Sequence, residues 1–210
     1  MLDSIHEKYT YGRRVSVLSK HIASLIDDGS SILDVGCGDG QISELIAGGV
    51  TESSIEGIDV MERSISSIKV SKYDGYTFPF EDNSFDTCVF VDVLHHADDA
   101  AKVMAEAGRV ARKHIIIKDH LTDGFLNEPI LKFMDYVGNK KHGVALPYYY
   151  MSQSEWHSHF QNLGWGISSW DTDIGIYPSW CSWAFDRELH FIAKLSIDAA
   201  ATETVLDRRT

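Results

Sequence analysis

Three glycines alternate with other residues directly after a short apolar run. Residues 32–40 read ILDVGCGDG, which places Gly36, Gly38 and Gly40 at the end of an expected buried strand. A glycine-rich turn between a strand and a helix lets the backbone approach a ligand closely. The dinucleotide fingerprint G-x-G-x-x-G would need glycine at position 41, where the chain has Gln41. This spacing argues against a nicotinamide-dependent oxidoreductase.

An acidic residue follows the turn at the distance expected of a nucleotide-binding sheet. In such folds an acid roughly twenty residues after the glycines ends the second strand and binds the ribose hydroxyls. The segment GIDV supplies Asp59. A carboxylate suits this role because it accepts two hydrogen bonds from neighbouring hydroxyls.

Three motifs in this order resemble class I, Rossmann-like S-adenosylmethionine-dependent methyltransferases of the small-molecule type. The first is D-x-G-x-G-x-G, from Asp34 to Gly40. The second, residues 73–86, reads YDGYTFPFEDNSFD and is similar to the family's acid, L-P-F and D-N-S-F-D pattern, with Phe78 in place of the usual leucine. The third, DVLHH at 92–96, is similar to the family's motif after the fourth strand. Together these motifs cover roughly residues 30–120.

The resemblance implies a set of cofactor-binding residues. The glycine turn would pass close to the methionine part of S-adenosylmethionine, where Asp34 would orient the amino group. Asp59 would bind the ribose, and Asp74 would accept a hydrogen bond from the adenine amino group, although an acid before a glycine is also ordinary turn chemistry. Cys37 is expected to pack as a small residue and to contact the cofactor through its backbone. Val60 and Met61 would lie beside the adenine, and Val91 and Asp92 beside the methionine end. The full implied set is Asp34, Gly36, Cys37, Gly38, Gly40, Asp59, Val60, Met61, Asp74, Val91 and Asp92.

A catalytic base, if the reaction needs one, is expected where strands four and five end. The candidates are His95 or His96 after the fourth strand and Asp119 or His120 after the fifth. Histidine suits proton transfer near neutral pH, and His120 and His96 are the preferred two. A capping or packing role is the alternative for each of these residues.

The histidine spacing disfavours a metal site. His157 and His159 lie two apart in an expected helix, where a rotation of about 200° separates them. The adjacent pair at 95 and 96 is an equally poor chelator, and the carboxylate and amide cluster of metal-dependent catechol methyltransferases cannot be assigned. We therefore expect no metal.

The elements that must position these residues alternate between apolar runs and helical patterns, which is typical of a parallel sheet with crossover helices. The resemblance implies an α/β fold of three αβα layers, doubly wound, with a seven-stranded, mostly parallel sheet and an antiparallel last strand. Its N-terminal helix would partly cover the cofactor and could contribute Tyr9 and Tyr11. The expected strands are 32–35, 55–58, 70–73, 87–94, 114–118 and 188–195. The first expected helix ends near residue 26, and the later ones span 41–47, 62–68 and 97–112.

One domain is expected over residues 1–196, followed by a flexible tail at 197–210. Residues 124–185 interrupt the alternation and hold all five tryptophans. This elaboration could form the acceptor pocket, with Tyr148–Tyr150, Trp156 and Trp165, or simply add to the core.

Composition excludes several other classes. The net charge of −12 disfavours nucleic acid as a partner, and no apolar stretch is long enough for a membrane span. The opening residues do not resemble an export signal, and the three cysteines form no C-x-x-C pair, so the cytoplasm is the expected location. Nothing in the sequence indicates an oligomeric state.

The sequence thus predicts an S-adenosylmethionine-dependent enzyme that methylates a small-molecule acceptor, aromatic or lipid-like, by in-line displacement and releases S-adenosylhomocysteine. The alternative is a regulatory or partner subunit that binds the cofactor without catalysis.

Overall fold

The computed structural model describes residues 2–61, 63–124, 126–139, 149–178 and 188–197. Its helices are α1 (Leu2–Leu25), α2 (Gln41–Gly49), α3 (Ala100–Val110), α4 (Asn127–Asn139) and α5 (Gln153–Asn162), with a 3-10 turn at Leu94–His96. Its strands are β1 (Ser31–Val35), β2 (Ser54–Asp59), β3 (Val70–Lys72), β4 (Phe85–Val91), β5 (Ala111–His120), β6 (Gly166–Asp171) and β7 (His190–Ser196).

The seven strands form one sheet in the order β3-β2-β1-β4-β5-β7-β6. The first five strands pair in parallel, and β7 runs antiparallel to both of its neighbours, β5 and β6. The predicted seven-stranded, mostly parallel sheet with an antiparallel last strand is confirmed. The strand order reverses between β1 and β4, and ligands of open α/β sheets bind at the carboxyl ends of the strands at such a point.

Two apolar cores cover the two faces of the sheet. Neighbouring residues of β4 point to opposite faces, so Val89 lies in one core and Phe90 in the other, and both are fully buried. The first core contains Leu18 of α1 and Ile46 of α2, and the second contains Met104 of α3 together with Trp156 and Phe160 of α5. Burial on both faces explains why β4 reads as a continuous apolar run rather than an alternating one.

The helix predicted at 62–68 is wrong, since residues 63–69 are not helical. The backbone N–H of Ser67 donates to the carbonyl of Asp39 at 2.9 Å, and the hydroxyl of Ser66 donates to the carbonyl of Ile68 at 2.9 Å. Serine side chains compete in this way with helical hydrogen bonds. The segment therefore packs against the glycine turn instead of forming a crossover helix.

Other boundaries differ by a few residues from those expected. The fourth strand ends at Val91, and of the residues expected to extend it only Leu94 belongs to the 3-10 turn. In the part of the chain that the structure describes, no helix has the length and apolar character needed to cross a membrane. The expected tail lies outside the described residues, apart from Ile197.

Candidate cofactor and acceptor site

The turn after β1 has a backbone that only glycine adopts readily. Gly36, Gly38 and Gly40 have φ angles of 72°, 59° and 75°. A Cβ atom on Gly36 would lie 2.6 Å from a methyl group of Val93, so this glycine also allows a close approach between the turn and the end of β4. The turn leads into α2, at the edge where β1 and β4 end side by side.

Cys37 packs inward from this turn. A Cβ atom on Gly57 of β2 would lie 2.4 Å from the Cys37 sulfur, so the pair forms a close contact. Burial raises the pKa of the Cys37 thiol, and nearby carboxylates add to this effect. The thiol is therefore neutral, as expected of a packing residue, and its backbone contact to a cofactor stays a prediction.

Asp34 is a buried acid with one oxygen that lacks a hydrogen-bond partner. The hydroxyl of Ser43 donates to Oδ2 at 2.5 Å, while no group of the described residues donates to Oδ1. Burial raises the pKa of Asp34 to about 7, despite the bond from Ser43. An ammonium group at Oδ1 would supply both the missing donor and a compensating charge, so this site fits the amino group of a methionine moiety.

Asp59 connects β2 to the turn. Its Oδ2 accepts a hydrogen bond from the backbone N–H of Gly38 at 2.8 Å, and its Oδ1 accepts one from Met61 at 2.7 Å. Each carboxylate oxygen can accept more than one bond, so ribose hydroxyls can still bind here. Beside Asp59 lies a cavity of about 340 Å³, whose lining is completed by Met61, Arg63, Ser66, Ile68, Lys69, Val70 and Lys72.

Val60 and Met61 are apolar residues next to Asp59 that are partly open to solvent, with exposed fractions of 49% and 36%. Such exposure suits the predicted role of flanking an adenine ring. Asp74 is exposed and accepts hydrogen bonds from the backbone N–H groups of Tyr76 and Thr77, which lower its pKa. These bonds are those of an acid that stabilises a turn. The contact of Asp74 with adenine stays a prediction.

Asp92 follows β4 and forms ion pairs with two cations. Its backbone has a φ of 56°, unusual for a residue with a side chain. The carboxylate contacts both the Lys118 ammonium and the Arg14 guanidinium. Burial alone would raise the pKa of Asp92, but these two cations hold it well below its usual range. Neither cation was singled out from the sequence, although a lysine in the apolar run of β5 was a usable signal.

On the opposite side of β5, Asp119 orients His95. The imidazole Nδ1 lies 2.6 Å from Asp119 Oδ1, and both side chains are buried. The backbone N–H groups of Leu94 and His120 also donate to this carboxylate. Because the carboxylate accepts from Nδ1, His95 is held as the tautomer with its proton on Nδ1.

The two preferred base candidates have different surroundings. His120 is buried, its Nδ1 lies 3.0 Å from Nδ1 of His190, and its Nε2 lies 3.5 Å from an oxygen of Asp92. Burial and the nearby Lys118 ammonium hold the pKa of His120 well below its ordinary value. The ring of His96 lies 3.9 Å from that of His95.

Comparison with known proteins shows which family this part of the chain resembles. Residues 33–117, from β1 to β5, match the family described as "Methyltransferase domain". The match supports a methyltransferase domain of the class I, S-adenosylmethionine-dependent type. The glycine turn, Asp34, Asp59 and Asp92 all lie within the matched methyltransferase region.

Individual relatives agree at the level of the domain and the fold. The ubiquinone biosynthesis O-methyltransferase of Thiobacillus denitrificans is 28% identical over 96 residues, which cover 40% of each chain. The chain spans less than half the length of the curated relatives it matches. An S-adenosylmethionine-dependent methyltransferase structure from Aquifex aeolicus shares the fold, with a TM-score of 0.57, 18% identity and coverage of 81% of this chain and 84% of that one.

The same fold occurs in a protein named for a different reaction. The [4+2]-cyclase SpnF superimposes with a TM-score of 0.60 and 17% identity, over 85% of this chain and 79% of that one. Membership in the methyltransferase fold therefore does not by itself fix the reaction.

The candidate site also gathers residue types that can bind a metal. Ligand atoms of His95, Asp119 and His120 all lie within 4.8 Å of one another, a grouping that histidine spacing along the chain did not indicate. Two ligands of one tetrahedral zinc ion would lie about 3.3 Å apart. The separation of 2.6 Å between His95 and Asp119 is instead that of a hydrogen bond, and backbone N–H groups already occupy the carboxylate. We therefore interpret the group as hydrogen bonded.

The aromatic residues of the segment 124–185 lie partly in the core and partly near the candidate site. Trp156 and Trp165 are buried in the core, and the Trp156 indole donates to the carbonyl of His120 at 3.1 Å. The ring of Tyr150 stacks near His95 with a centroid distance of 5.5 Å. Tyr148 and the Tyr9 side chain lie outside the described residues, and Tyr11 on α1 is exposed.

Proposed function

We propose that the protein transfers a methyl group from S-adenosylmethionine to a small-molecule acceptor bound where β4 and β5 end. The observation that carries this proposal is the buried Asp34 before the glycine turn, whose Oδ1 has no donor within the part of the chain that the structure describes. A buried carboxylate oxygen without a partner costs free energy, and a ligand ammonium would remove that cost.

Each part of the cofactor has residues of this chain to hold it. Asp34 binds the methionine amino group, and Asp59 binds the ribose hydroxyls. Val60 and Met61 flank the adenine, and Asp74 accepts from its amino group. When bound, S-adenosylmethionine supplies an electrophilic methyl group on a sulfonium, and the enzyme mainly aligns it with the acceptor.

We assign proton removal from the acceptor to His95, oriented by Asp119. An imidazole whose Nδ1 donates to a carboxylate presents Nε2 as the basic atom, and the carboxylate stabilises the imidazolium that forms. His120 is less suited, because burial and Lys118 lower its pKa, while the neighbouring His96 remains the second candidate.

The acceptor is a small molecule with a flat or apolar part, next to Tyr150 and the imidazole rings of the site. Aromatic side chains stack on such groups. The negative net charge of the chain favours this class over nucleic acid. A cytoplasmic location is proposed from the cysteine pattern alone.

The first experiment is calorimetric titration of the purified protein with S-adenosylhomocysteine. We expect a dissociation constant in the micromolar range or tighter, followed by methyl transfer from labelled S-adenosylmethionine in a screen of aromatic and lipid-like acceptors. Folded protein that binds no S-adenosylhomocysteine would contradict the proposal. Tight binding with no transfer to any acceptor would instead favour a cofactor-binding regulatory subunit.

A further inference from the structure

The cavity beside Asp59 differs in charge from the chain as a whole. Of the described residues that line it, three are cations, Arg63, Lys69 and Lys72, and one is an acid, Asp59. The whole chain has the opposite balance, with 19 lysines and arginines against 31 acids. The volume of about 340 Å³ is within the range of small-molecule sites, which begins at about 300 Å³. The cations therefore gather around a space of the size that a small ligand needs.

The backbone that carries these cations is fixed on two sides. Residues 63–69 are not helical, and the backbone N–H of Ser67 donates to the carbonyl of Asp39 in the glycine turn at 2.9 Å. Lys72 is the register partner of Asp59 in the parallel pair of β3 and β2. The cations thus extend from a loop bound to the glycine turn and from a strand of the sheet.

Two of the three cations have N–H groups that a ligand can use. Arg63 and Lys72 form no ion pair within the part of the chain that the structure describes. Lys69 lies 2.7 Å from Glu56, but the two side chains are 70% and 35% exposed, and an ion pair at the surface contributes little and is readily exchanged. The carboxylate oxygens of Asp59 accept instead from two backbone N–H groups.

We propose that this cavity binds a phosphate group. A guanidinium donates two parallel hydrogen bonds to phosphate oxygens, and a lysine ammonium binds phosphate as a point charge. A phosphate has more oxygens and more negative charge than a carboxylate, so it can engage all three cations at once. The phosphate is either free inorganic phosphate or that of a nucleotide, whose ribose hydroxyls Asp59 can accept.

Phosphate binding here affects the cofactor, a consequence that rests on the proposed function. The cavity is lined by Asp59 and Met61, which are also proposed to hold the ribose and the adenine of S-adenosylmethionine. A nucleotide in the cavity therefore competes with the cofactor for these two residues.

The test is calorimetric titration of the protein with three probes: inorganic phosphate, adenosine 5′-monophosphate and adenosine. We expect inorganic phosphate to bind, and adenosine 5′-monophosphate to bind at least about tenfold more tightly than adenosine, which lacks the charged group. If the nucleotide is the ligand, it also binds more tightly than inorganic phosphate. Binding of inorganic phosphate on which the nucleotide does not improve would identify free phosphate. No binding of inorganic phosphate, together with equal affinities for the nucleotide and adenosine, would overturn the proposal.

Arg63→Gln and Lys72→Gln locate the phosphate. Each should weaken the tighter of the two phosphate probes by about tenfold, the lower end of the range for hydrogen bonds to charged groups, and leave adenosine unchanged. Arg63→Lys should recover part of the loss. Both residues are exposed, so the variants should fold, which circular dichroism verifies.

Lys132→Gln is the matched control. Lys132 is an exposed lysine of α4 that pairs with Glu128, so its substitution removes the same charge outside the cavity lining. It should leave the phosphate affinity unchanged. An equal loss in this control would mean that only the net charge of the protein matters, and would overturn the proposal.

A separate titration with S-adenosylhomocysteine distinguishes this proposal from the proposed function. Saturation with adenosine 5′-monophosphate should weaken the apparent affinity for S-adenosylhomocysteine, and an unchanged affinity would overturn the competition. If S-adenosylhomocysteine does not bind at all, the proposed function fails, and the phosphate titrations on the protein alone still decide whether the cavity binds phosphate.

Discussion

The carboxyl group of Asp34 accepts a hydrogen bond from the hydroxyl of Ser43 on one oxygen, and none of the residues that the structure describes donates to the other. Ser43 belongs to the first turns of α2, so this bond connects the helix after the glycine turn to the strand before it. Burial raises the pKa of Asp34 to about 7, which means that its charge is costly in the protein without a ligand. The fold alone therefore does not provide hydrogen-bond donors for both oxygens of Asp34, the acid proposed to bind the ligand.

Asp34→Asn should remove a pH dependence of stability. The folded-state pKa is above the unfolded one, so the contribution of Asp34 is fully present below pH 3.8 and is lost as the pH rises through about 7. A shift of this size corresponds to at most about 4 kcal/mol at pH 8. Urea unfolding of both proteins at pH 5 and pH 8 measures the effect: the stability of the variant relative to the wild type should be higher at pH 8 than at pH 5, while the bond from Ser43 is retained. An equal change with pH in both proteins would contradict the assignment.

His120→Gln should have the opposite effect on the pH profile. The pKa of His120 is lowered in the folded protein by burial and by Lys118, so its contribution is present above an unfolded value of about 6.5 and is lost as the pH falls below it. In the interval just below pH 6.5 Asp34 and His120 act in opposite directions, each by about 1.4 kcal/mol per pH unit where it titrates fully.

The wild-type stability should therefore vary little with pH in this interval, while each single variant should show a slope of its own sign. Urea unfolding of the two variants at half-unit pH steps separates the contributions. Slopes of the same sign in both variants would show that other groups dominate the profile.

Local sequence patterns predicted the turns and strands whose conformation depends on residues close to each other in the chain. Gly36, Gly38 and Gly40 are found at positive φ as a turn between strand and helix requires, and Asp59 ends the second strand as the spacing indicated. Such features depend on backbone chemistry and on strand length, which a short window of sequence contains. The apolar runs of β4 and β5 were recognisable for the same reason.

The long-range polar contacts could not be predicted in this way. Arg14 and Asp92 are 78 positions apart, and His120 and His190 are 70 apart. No periodicity links such pairs, since only the sheet order brings them together. The wrong helix at 62–68 has a related cause: its helical pattern is overridden by hydrogen bonds from Ser66 and Ser67, one of which reaches the glycine turn.

Asp59→Ala should weaken S-adenosylhomocysteine binding by about 1.5–3 kcal/mol, because a ribose hydroxyl would lose a hydrogen bond to a charged group. Calorimetry measures the change, and circular dichroism confirms that the variant is folded. Asp74→Ala is measured in the same way. A comparable loss of affinity would support a contact between Asp74 and adenine, whereas unchanged affinity would mean that Asp74 only stabilises its own turn.

Unchanged affinity in a folded Asp59→Ala protein would mean that the ribose does not bind at the end of β2. The variant also removes the acceptor for Gly38 and Met61. Thermal unfolding without ligand therefore accompanies the titration, so that a loosened turn is distinguished from a lost ribose contact.

A series of three glycine variants separates backbone strain from steric contact at the turn. Gly36→Ala combines a φ of 72° with a new Cβ atom 2.6 Å from Val93, and should lower the free energy of unfolding by more than about 2 kcal/mol. Gly38→Ala has a φ of 59° but no atom within 4 Å of the new group, so only the strain of about 1 kcal/mol applies. Gly48→Ala, inside α2 with open space around it, should raise stability by about 0.5–1 kcal/mol. Chemical denaturation ranks the three, and a Gly38 variant as unstable as the Gly36 variant would show that contact with Val93 does not determine the shape of the turn.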